Sequence, residues 1–569
     1  MCGIIAYLGK DNAVNRVTEG LKTLEYRGYD SAGLAYISKE TIHTVKQVGP
    51  VDALVQKVND LKLPKSNIAL GHTRWATHGG ITEQNSHPHV SDDGNIAVVH
   101  NGIIENYIQL KSDLESKGVT FKSATDTEVI PNLISQFKSE NILKSVTEAC
   151  KYLKGSYAFL AMSCDHPDTI VAAKNGSQPL VIGTVKDAVY ISSDTPTLTS
   201  KCDKIYALED AEFAVICPTS VKFHKFGKSI VKKPLAIMAS VKPATKGIYN
   251  TFMEREIHEI PDVIEAIERE YCKRDLTKLV AKIHACDTIH IAACGTSYHA
   301  GLYIARMFER QGLRRVLVHV ASELPHTNPI INPRDIAIVI SQSGETADTL
   351  SAMKTFKNRG LYTIAICNVE GSSIWRYADT ALPTVAGTEV AVASTKAYIA
   401  QTLVGEIVVN AIMEQPTNFV SYRKAAHEIL GHSEEILKVV SENKDMNRIF
   451  FLGKGLSAIT ALESALKVKE ITYRHCEGIA AGELKHGTLA LVDSNTLSII
   501  LTPTDEAAAQ KLNNSIHEVK SRGSHIWTVP PVESSLQIIY AQLFALHLAQ
   551  KLSLDPDKPR NLAKSVTVE

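Results

Sequence analysis

Three groups of residues have the types and spacing for chemistry. The first is Cys2, which directly follows Met1. Removal of the methionine would leave a thiol and an α-amine on one residue. An α-amine has an ordinary pKa near 7.7–8.0 and can take a proton close to neutrality. A thiol beside it is a ready acyl-transfer nucleophile. A cysteine at position 2 is ordinary by itself, so its surroundings must decide. The second group is a pair of hydroxyl-rich loops, Gly295-Thr296-Ser297 and Ser341-Gln342-Ser343-Gly344-Glu345-Thr346. Backbone N–H groups and hydroxyls at the start of a helix suit a phosphate monoester, although serines there also serve as simple helix caps. The third is Glu463, Lys467 and Glu470, which share one helix face at spacings of four and three. Its plainer reading is a solvated ion-pair stripe.

The elements that must position these residues follow from apolar spacing. Short apolar segments at Ile4–Leu8, Asn67–Leu70, Asn95–His100 and Ala158–Met162 are bounded by Gly, Asn and Asp. They predict strands, with helices between them near Val14–Leu24 and Thr127–Phe137. Residues 1–235 therefore make a β-rich first domain. A polar strip with Pro243, then a stretch of alternating charge with Pro261, gives a linker over 236–266 that joins a helix.

The rest of the chain is an internal repeat. The strand and glycine loop at Ile289–Ser297 recur at Ile449–Ser457, with Gly295 and Gly455 lying 160 apart. Ile338–Ser343 recurs as Ile499–Thr504, and Arg359-Gly360 before a strand recurs as Arg522-Gly523. Three landmarks in order at nearly one offset predict a duplicated α/β unit with parallel strands and crossover helices. The expected copies are 267–412 and 413–553, with a tail at 554–569. Parallel sheets bind ligands at the carboxyl ends of their strands. The first copy carries the hydroxyl loops there, whereas the second has Thr502-Pro503-Thr504-Asp505, where Pro503 lacks a donor and Asp505 repels phosphate. One copy is expected to bind and the other to support.

Composition narrows the function. The 569 residues are 44% hydrophobic and 21% charged, ordinary for a globular chain. Lys plus Arg equals Asp plus Glu at 61 each, so there is no basic excess for a nucleic-acid partner. The most apolar stretch, Ala397–Met413, is broken by Gln401 and Glu406 and falls short of the roughly 18–20 residues of a membrane span. It predicts a buried helix. The ten cysteines are scattered without CxxC or zinc spacing, which together with a start lacking any signal-like stretch predicts a cytoplasmic chain.

The strings Met1-Cys2-Gly3-Ile4, Leu24–Gly33, Gly71–Gly79 and His100-Asn101-Gly102-Ile103 resemble the class II glutamine amidotransferase domain. Ser341–Thr349, Val392–Lys396, Gly482–Gly487 and Arg560–Glu569 resemble more narrowly the glutamine–fructose-6-phosphate aminotransferase (isomerising) family. The resemblance runs over essentially the whole chain. It implies an α/β protein: an N-terminal αββα Ntn-hydrolase-type domain followed by two tandem sugar-isomerase (SIS) domains with parallel sheets. It implies that Cys2 attacks the glutamine side-chain amide, with Asn101 and the Gly102 N–H as oxyanion hole. Arg74 would hold the substrate α-carboxylate and Asp126 its α-ammonium, with Thr77 and His78 lining the pocket and Trp75 gating an ammonia channel. Asp126 also has the position of an N-cap for a helix from Thr127. Thr296, Ser297, Ser341, Gln342, Ser343, Thr346, Val392, Ser394 and Ala563 would bind the sugar phosphate. Glu470 would move a proton between C1 and C2 with help from Lys467. His486 would open the ring from the neighbouring subunit of a homodimer or larger homo-oligomer, and Lys564 would form a Schiff base with the keto sugar. The implied reaction opens hexosamine biosynthesis and needs no metal or organic cofactor, no nucleic acid and no membrane.

The chain departs from the family pattern at three places. Gln178 is inserted in Gly176-Ser177-Gln178-Pro179-Leu180, Thr488 replaces a proline, and the region between Trp527 and Leu536 is about twenty residues short. The shortening predicts loss of an edge strand from the second copy. Three rivals remain at this point. A phosphoribosyl-pyrophosphate amidotransferase would need a pyrophosphate loop with paired acids, which is missing. A sugar-phosphate-sensing regulator would have eroded Cys2, Glu470, His486 or Lys564, and all four are intact. A pure sugar isomerase would leave the first domain idle.

Overall fold

The computed structural model describes residues 2–76, 78–235 and 245–566. They fall into two units: residues 1–242 with 345–347 and 565–569, and residues 243–344 with 348–564.

The first unit has four layers. One antiparallel sheet runs, edge to edge, Lys204–Ala207, Val181–Val185, Ala188–Ser192, Gly3–Gly9, Ile68–Arg74, Ser31–Ser38 and Thr41–Val48. The other runs Lys228–Ile230, Ser220–Lys225, Glu212–Cys217, His166–Asn175, Gly155–Ser163, Ile96–Ile104 and His89–Val90. The central strands are buried on both faces, so their apolar residues run consecutively rather than alternating, with buried polar residues at the end of Ile68–Arg74. Between the sheets lies one core built on Ile4, Ala6, Leu70, Val99, Leu160 and Ile182. Outside the first sheet, Val14, Val17 and Leu21 of the helix Ala13–Leu24 seal a second core with Ile5 and Leu54. Outside the second sheet, Ile130, Leu133 and Val146 of the helices Val129–Gln136 and Ile142–Cys150 seal a third. This is the expected αββα arrangement.

The second unit contains two parallel sheets. The first has five strands, in the order Arg315–Val320, Thr288–Ala293, Ile336–Ser341, Tyr362–Cys367, Thr380–Pro383. The second has four, in the order His475–Ala480, Arg448–Gly453, Thr496–Leu501, His525–Val529. The repeated landmarks sit in matching places: the strands Thr288–Ala293 and Arg448–Gly453 each lead into a long helix, Gly295–Arg310 and Leu456–Thr472. Among the described residues, the second sheet has no partner for the edge strand Thr380–Pro383, and the chain there passes from Val529 to the buried helix Ile538–Lys551. The helix Lys396–Ile412 is buried along nearly its whole length, which accounts for its membrane-like composition. No helix among the described residues is long and apolar enough to cross a membrane.

Two expectations shift. Residues 236–244 lie outside the described residues, but 252–266, expected within the linker, form helices. These are Phe252–His258 and the start of Ile260–Tyr271. Met253, Ile257, Ile260, Ile264 and Ile267 recur at helical spacing and are fully buried in the core of the second unit. The helix expected from Thr127 begins at Val129, with Glu128 preceding it and no side-chain cap. The Asp126 carboxylate instead accepts the Ile104 N–H at 2.8 Å, so its capping role does not occur.

Candidate active sites

In the first unit, Cys2, Arg74, Trp75, His78, Asn101, Gly102, Asp126 and Gln178 line one cavity. Sheet pairing brings them together: Gly3 opposes Thr73, which puts Cys2 beside the end of Ile68–Arg74. The Trp75 N–H donates to the Cys2 Sγ at 3.3 Å, and the Asn101 Nδ2 donates to the Cys2 carbonyl at 3.1 Å. Burial pushes the Cys2 thiol above its ordinary pKa, with the Trp75 N–H and Arg74 opposing. A thiol in this setting is protonated at neutral pH and needs a base to react. Gly102 stands at φ +129°, and a Cβ there would lie 2.0 Å from the Ser156 carbonyl oxygen. Only glycine fits at this place in the cavity wall.

Arg74 is buried and its guanidinium binds the carbonyls of His78 (2.5 Å), Gly79 (3.1 Å) and Gly80 (3.1 Å). It therefore fixes the loop that forms one side of the cavity. The Trp75 ring meets Tyr29 edge to face at 5.5 Å, and His78 meets Tyr107 likewise at 5.5 Å. Thr77 lies outside the described residues. Behind the cavity, His72 stacks on His87 at 4.0 Å, and its Nε2 donates to the His100 carbonyl at 3.0 Å. Burial holds His72 down to about 3 and His100 down to about 4, so both rings are neutral at pH 7. His100 and Asn101 are adjacent, so this hydrogen bond fixes the peptide that carries Asn101. Gln178 was visible only as an insertion, yet it is fully buried at the cavity wall.

In the second unit, Glu463 and Lys467 are fully buried, so the stripe is not solvated. The Lys467 Nζ donates to Glu470 at 2.9 Å and to the Thr296 hydroxyl at 3.0 Å, and lies 3.3 Å from Glu463. Glu463 also accepts from Thr296 at 2.9 Å and pairs with His299 Nδ1 at 2.7 Å. Burial disfavours the Lys467 charge, but Glu463 and Glu470 outweigh it and its pKa is raised. Glu463 is likewise pulled below its ordinary value against burial, chiefly by Lys467. Glu470 is raised by burial, with Lys467 opposing. A carboxyl with a raised pKa beside a fixed cation suits a group that takes and returns a proton. Replacing Lys467 by methionine would strand Glu463 without its cation. We expect a loss of about 3–5 kcal/mol, measurable as a lowered midpoint in thermal unfolding.

The other expected residues fall at strand ends and in the tail. Ser297 accepts from Gln401 at 3.0 Å. Ser341, Gln342 and Ser343 close the strand Ile336–Ser341, and Thr346 immediately precedes the helix Ala347–Asn358. Ser341 accepts the Gly344 N–H at 3.0 Å, so its hydroxyl shapes the loop. The tail is docked: the Asp557 carbonyl accepts from Val392 N at 3.1 Å, and its carboxylate accepts from the N–H groups of Phe252 and Met253. Past Ala563, the Lys564 Nζ bonds Glu389 at 2.5 Å, and Ser394 donates to the same Glu389 oxygen at 2.9 Å. His486 is exposed at the end of the turn Ala481–His486 and bonds none of these residues among those described. The residues that sequence reading missed are Glu389, His299 and Gln401. Glu389 had one signal, a lone acid before the apolar run Val390–Ala393; the other two had none.

Comparison with known proteins places this arrangement. A glutamine amidotransferase domain model matches residues 72–200, and a SIS domain model matches 282–411 and again 444–548. The chain is 40% identical to the glutamine–fructose-6-phosphate aminotransferase (isomerizing) of Caldanaerobacter subterraneus, and 39% identical to that of Thermococcus kodakarensis; in both cases the whole of each chain is covered. The solved C-terminal domain of glucosamine-fructose-6-phosphate aminotransferase from Francisella tularensis aligns to 56% of this chain and 100% of its own, at 31% identity and a TM-score of 0.51. With its full length shared with such relatives, the chain belongs to the glutamine–fructose-6-phosphate aminotransferase (isomerizing) family.

Proposed function

We infer that the chain transfers the amide nitrogen of L-glutamine to D-fructose 6-phosphate, giving L-glutamate and D-glucosamine 6-phosphate. The observation that carries this is the full-length match to relatives of that name, and the residue geometry is consistent with it. In the first unit, Cys2 is the nucleophile with its own α-amine as base, which a raised thiol pKa requires. Asn101 and the Gly102 N–H stabilise the oxyanion. Arg74, Thr77, His78 and Asp126 orient the substrate amino acid. In the second unit, the hydroxyls of Thr296, Ser297, Ser341, Ser343, Thr346 and Ser394, with Gln342, Val392 and Ala563, hold the sugar phosphate. Lys564 condenses with the open-chain ketose, and Glu470 carries the proton between C1 and C2 beside Lys467.

Ammonia released into water at pH 7 would be protonated, so the reading includes an internal path past Trp75. His486 is exposed and bonds neither Glu470 nor Lys467 among the described residues, which fits donation by a second copy in a homodimer. The reading also includes a first domain ending at 235, a split of the repeat at 413 and a tail from 554, and a cytoplasmic setting supported by ten unpaired cysteines. The deciding experiment measures glutamate and glucosamine 6-phosphate in parallel, with and without fructose 6-phosphate. Equal amounts of both, rising with the sugar, are expected. Glutamate without amino sugar would sink the reading and point to the shortened second copy.

A further inference from the structure

The Glu389–Lys564 pair rests on a second buried carboxyl. Glu256, on the helix Phe252–His258, is 1% exposed. Its Oε1 accepts the N–H groups of Val390 (2.5 Å) and Ala391 (3.2 Å), the two residues that follow Glu389. It therefore seats the loop that presents Glu389 to Lys564. Its other oxygen is buried and has no hydrogen-bond partner. One turn on, Glu259 pairs with Lys396 at 2.6 Å. The charged groups around Glu256 are Glu389, Lys564 and Lys396, with Glu259 and Arg255 beyond. Lys564 bonds Glu389, while Lys396 and Arg255 each bond Glu259 at 2.6 Å, so no cation is hydrogen-bonded to Glu256.

We propose that Glu256 is a positioning residue that works as a neutral carboxylic acid, seating the Glu389 loop on Lys564 without adding a charge that would hold the lysine's proton. This rests on the reading of Lys564 as the Schiff-base lysine. An uncompensated buried carboxylate is costly, and burial together with Glu389 pushes the Glu256 carboxyl up to about 8. Glu389, by contrast, is drawn below its ordinary value: burial opposes this, but Lys564 and the N–H of Thr395 prevail.

The condensation shows why the neutral form matters. The Lys564 ammonium gives a proton to the Glu389 carboxylate at 2.5 Å. The freed amine adds to C2 of the open-chain ketose, and the carbinolamine forms with its oxygen protonated. That oxygen leaves as water, and the C=N bond forms as a cationic iminium beside Glu389, once more a carboxylate. Ammonium plus ketone becomes iminium plus water, and charge is conserved. An ionised Glu256 would add a second negative charge near Lys564 and raise the work of removing the first proton.

The test is the rate at which the full chain forms a borohydride-trapped adduct of fructose 6-phosphate at Lys564, read by peptide mass, for wild type and Glu256→Gln. Below about pH 7 Glu256 is protonated, and an amide has the same shape and charge, so the two rates should coincide. Above about pH 8 wild-type Glu256 ionises and the rise of its rate with pH should flatten. Glu256→Gln should keep rising and exceed wild type by at least about threefold near pH 9.5. A ratio that does not change with pH overturns the proposal, as does a Glu256→Gln rate well below wild type at about pH 6.5. If Glu256→Gln does not fold, judged by lost glutaminase activity, the wild-type profile decides: a steady rise through pH 8 overturns the proposal. No adduct at any pH in wild type would instead remove the Schiff-base reading of Lys564 itself.

Discussion

Glutamate release from glutamine is expected to fall at least ~10³-fold when Cys2 is replaced by alanine, because deleting a covalent nucleophile removes the whole two-step route. The variant should fold. Cys2 lies at the edge of the strand Gly3–Gly9, and its Sγ makes weak sulfur hydrogen bonds to the Trp75 backbone at 3.3 and 3.6 Å. Glucosamine 6-phosphate made from glutamine should disappear with the glutamate, while fructose 6-phosphate binding to the second unit remains. Equilibrium binding of the sugar, run beside both product assays, checks this. Residual glutamate release near the wild-type rate would show that another group attacks the amide.

The complementary variant is Lys564→Ala, which should reverse the pattern. Glucosamine 6-phosphate formation should drop on the order of 10³-fold with the loss of the covalent sugar intermediate, while glutaminase activity persists. It would also leave Glu389 buried without its cation, with only Ser394 and the N–H and hydroxyl groups around Thr395 to hold it. Glu389→Gln in the same background removes that stranded charge. A double variant that regains thermal stability but not amino-sugar synthesis would separate the chemical role of Lys564 from its structural one.

Much of the fold was legible because each unit announces itself through a different period. The apolar strands and the helix Ala13–Leu24 stood out in the first unit, and the duplication in the second was plain from three glycine-marked landmarks. The boundary near 252 was harder. Pro261 and alternating charges look like a linker, but proline is tolerated in the first turn of Ile260–Tyr271, and of the charges in the preceding helix Glu256 is itself buried. In the sites, Cys2 and Arg74 could be paired because motif and chemistry agreed. Glu463 and Lys467 could not be distinguished from a surface ion pair, since helical spacing records who shares a face and not what covers it. Glu389 and Glu256 were invisible as partners of Lys564 because they lie 175 and more residues away in sequence. Asp126 is no cap because its carboxylate accepts the N–H of Ile104, at the end of the distant strand Ile96–Ile104.

The buried cluster around Lys467 also bears on how the duplicated unit can change over time. Glu463 and Lys467 belong to one copy, and Thr296 and His299, 167 and 164 positions upstream of Glu463, belong to the other. Gene duplication normally frees two copies to drift apart. Here an ion pair buried by one copy is hydrogen-bonded partly by the other, so a substitution on either side leaves a buried polar group short of a partner. At this seam the stability of each copy depends on side chains supplied by the other.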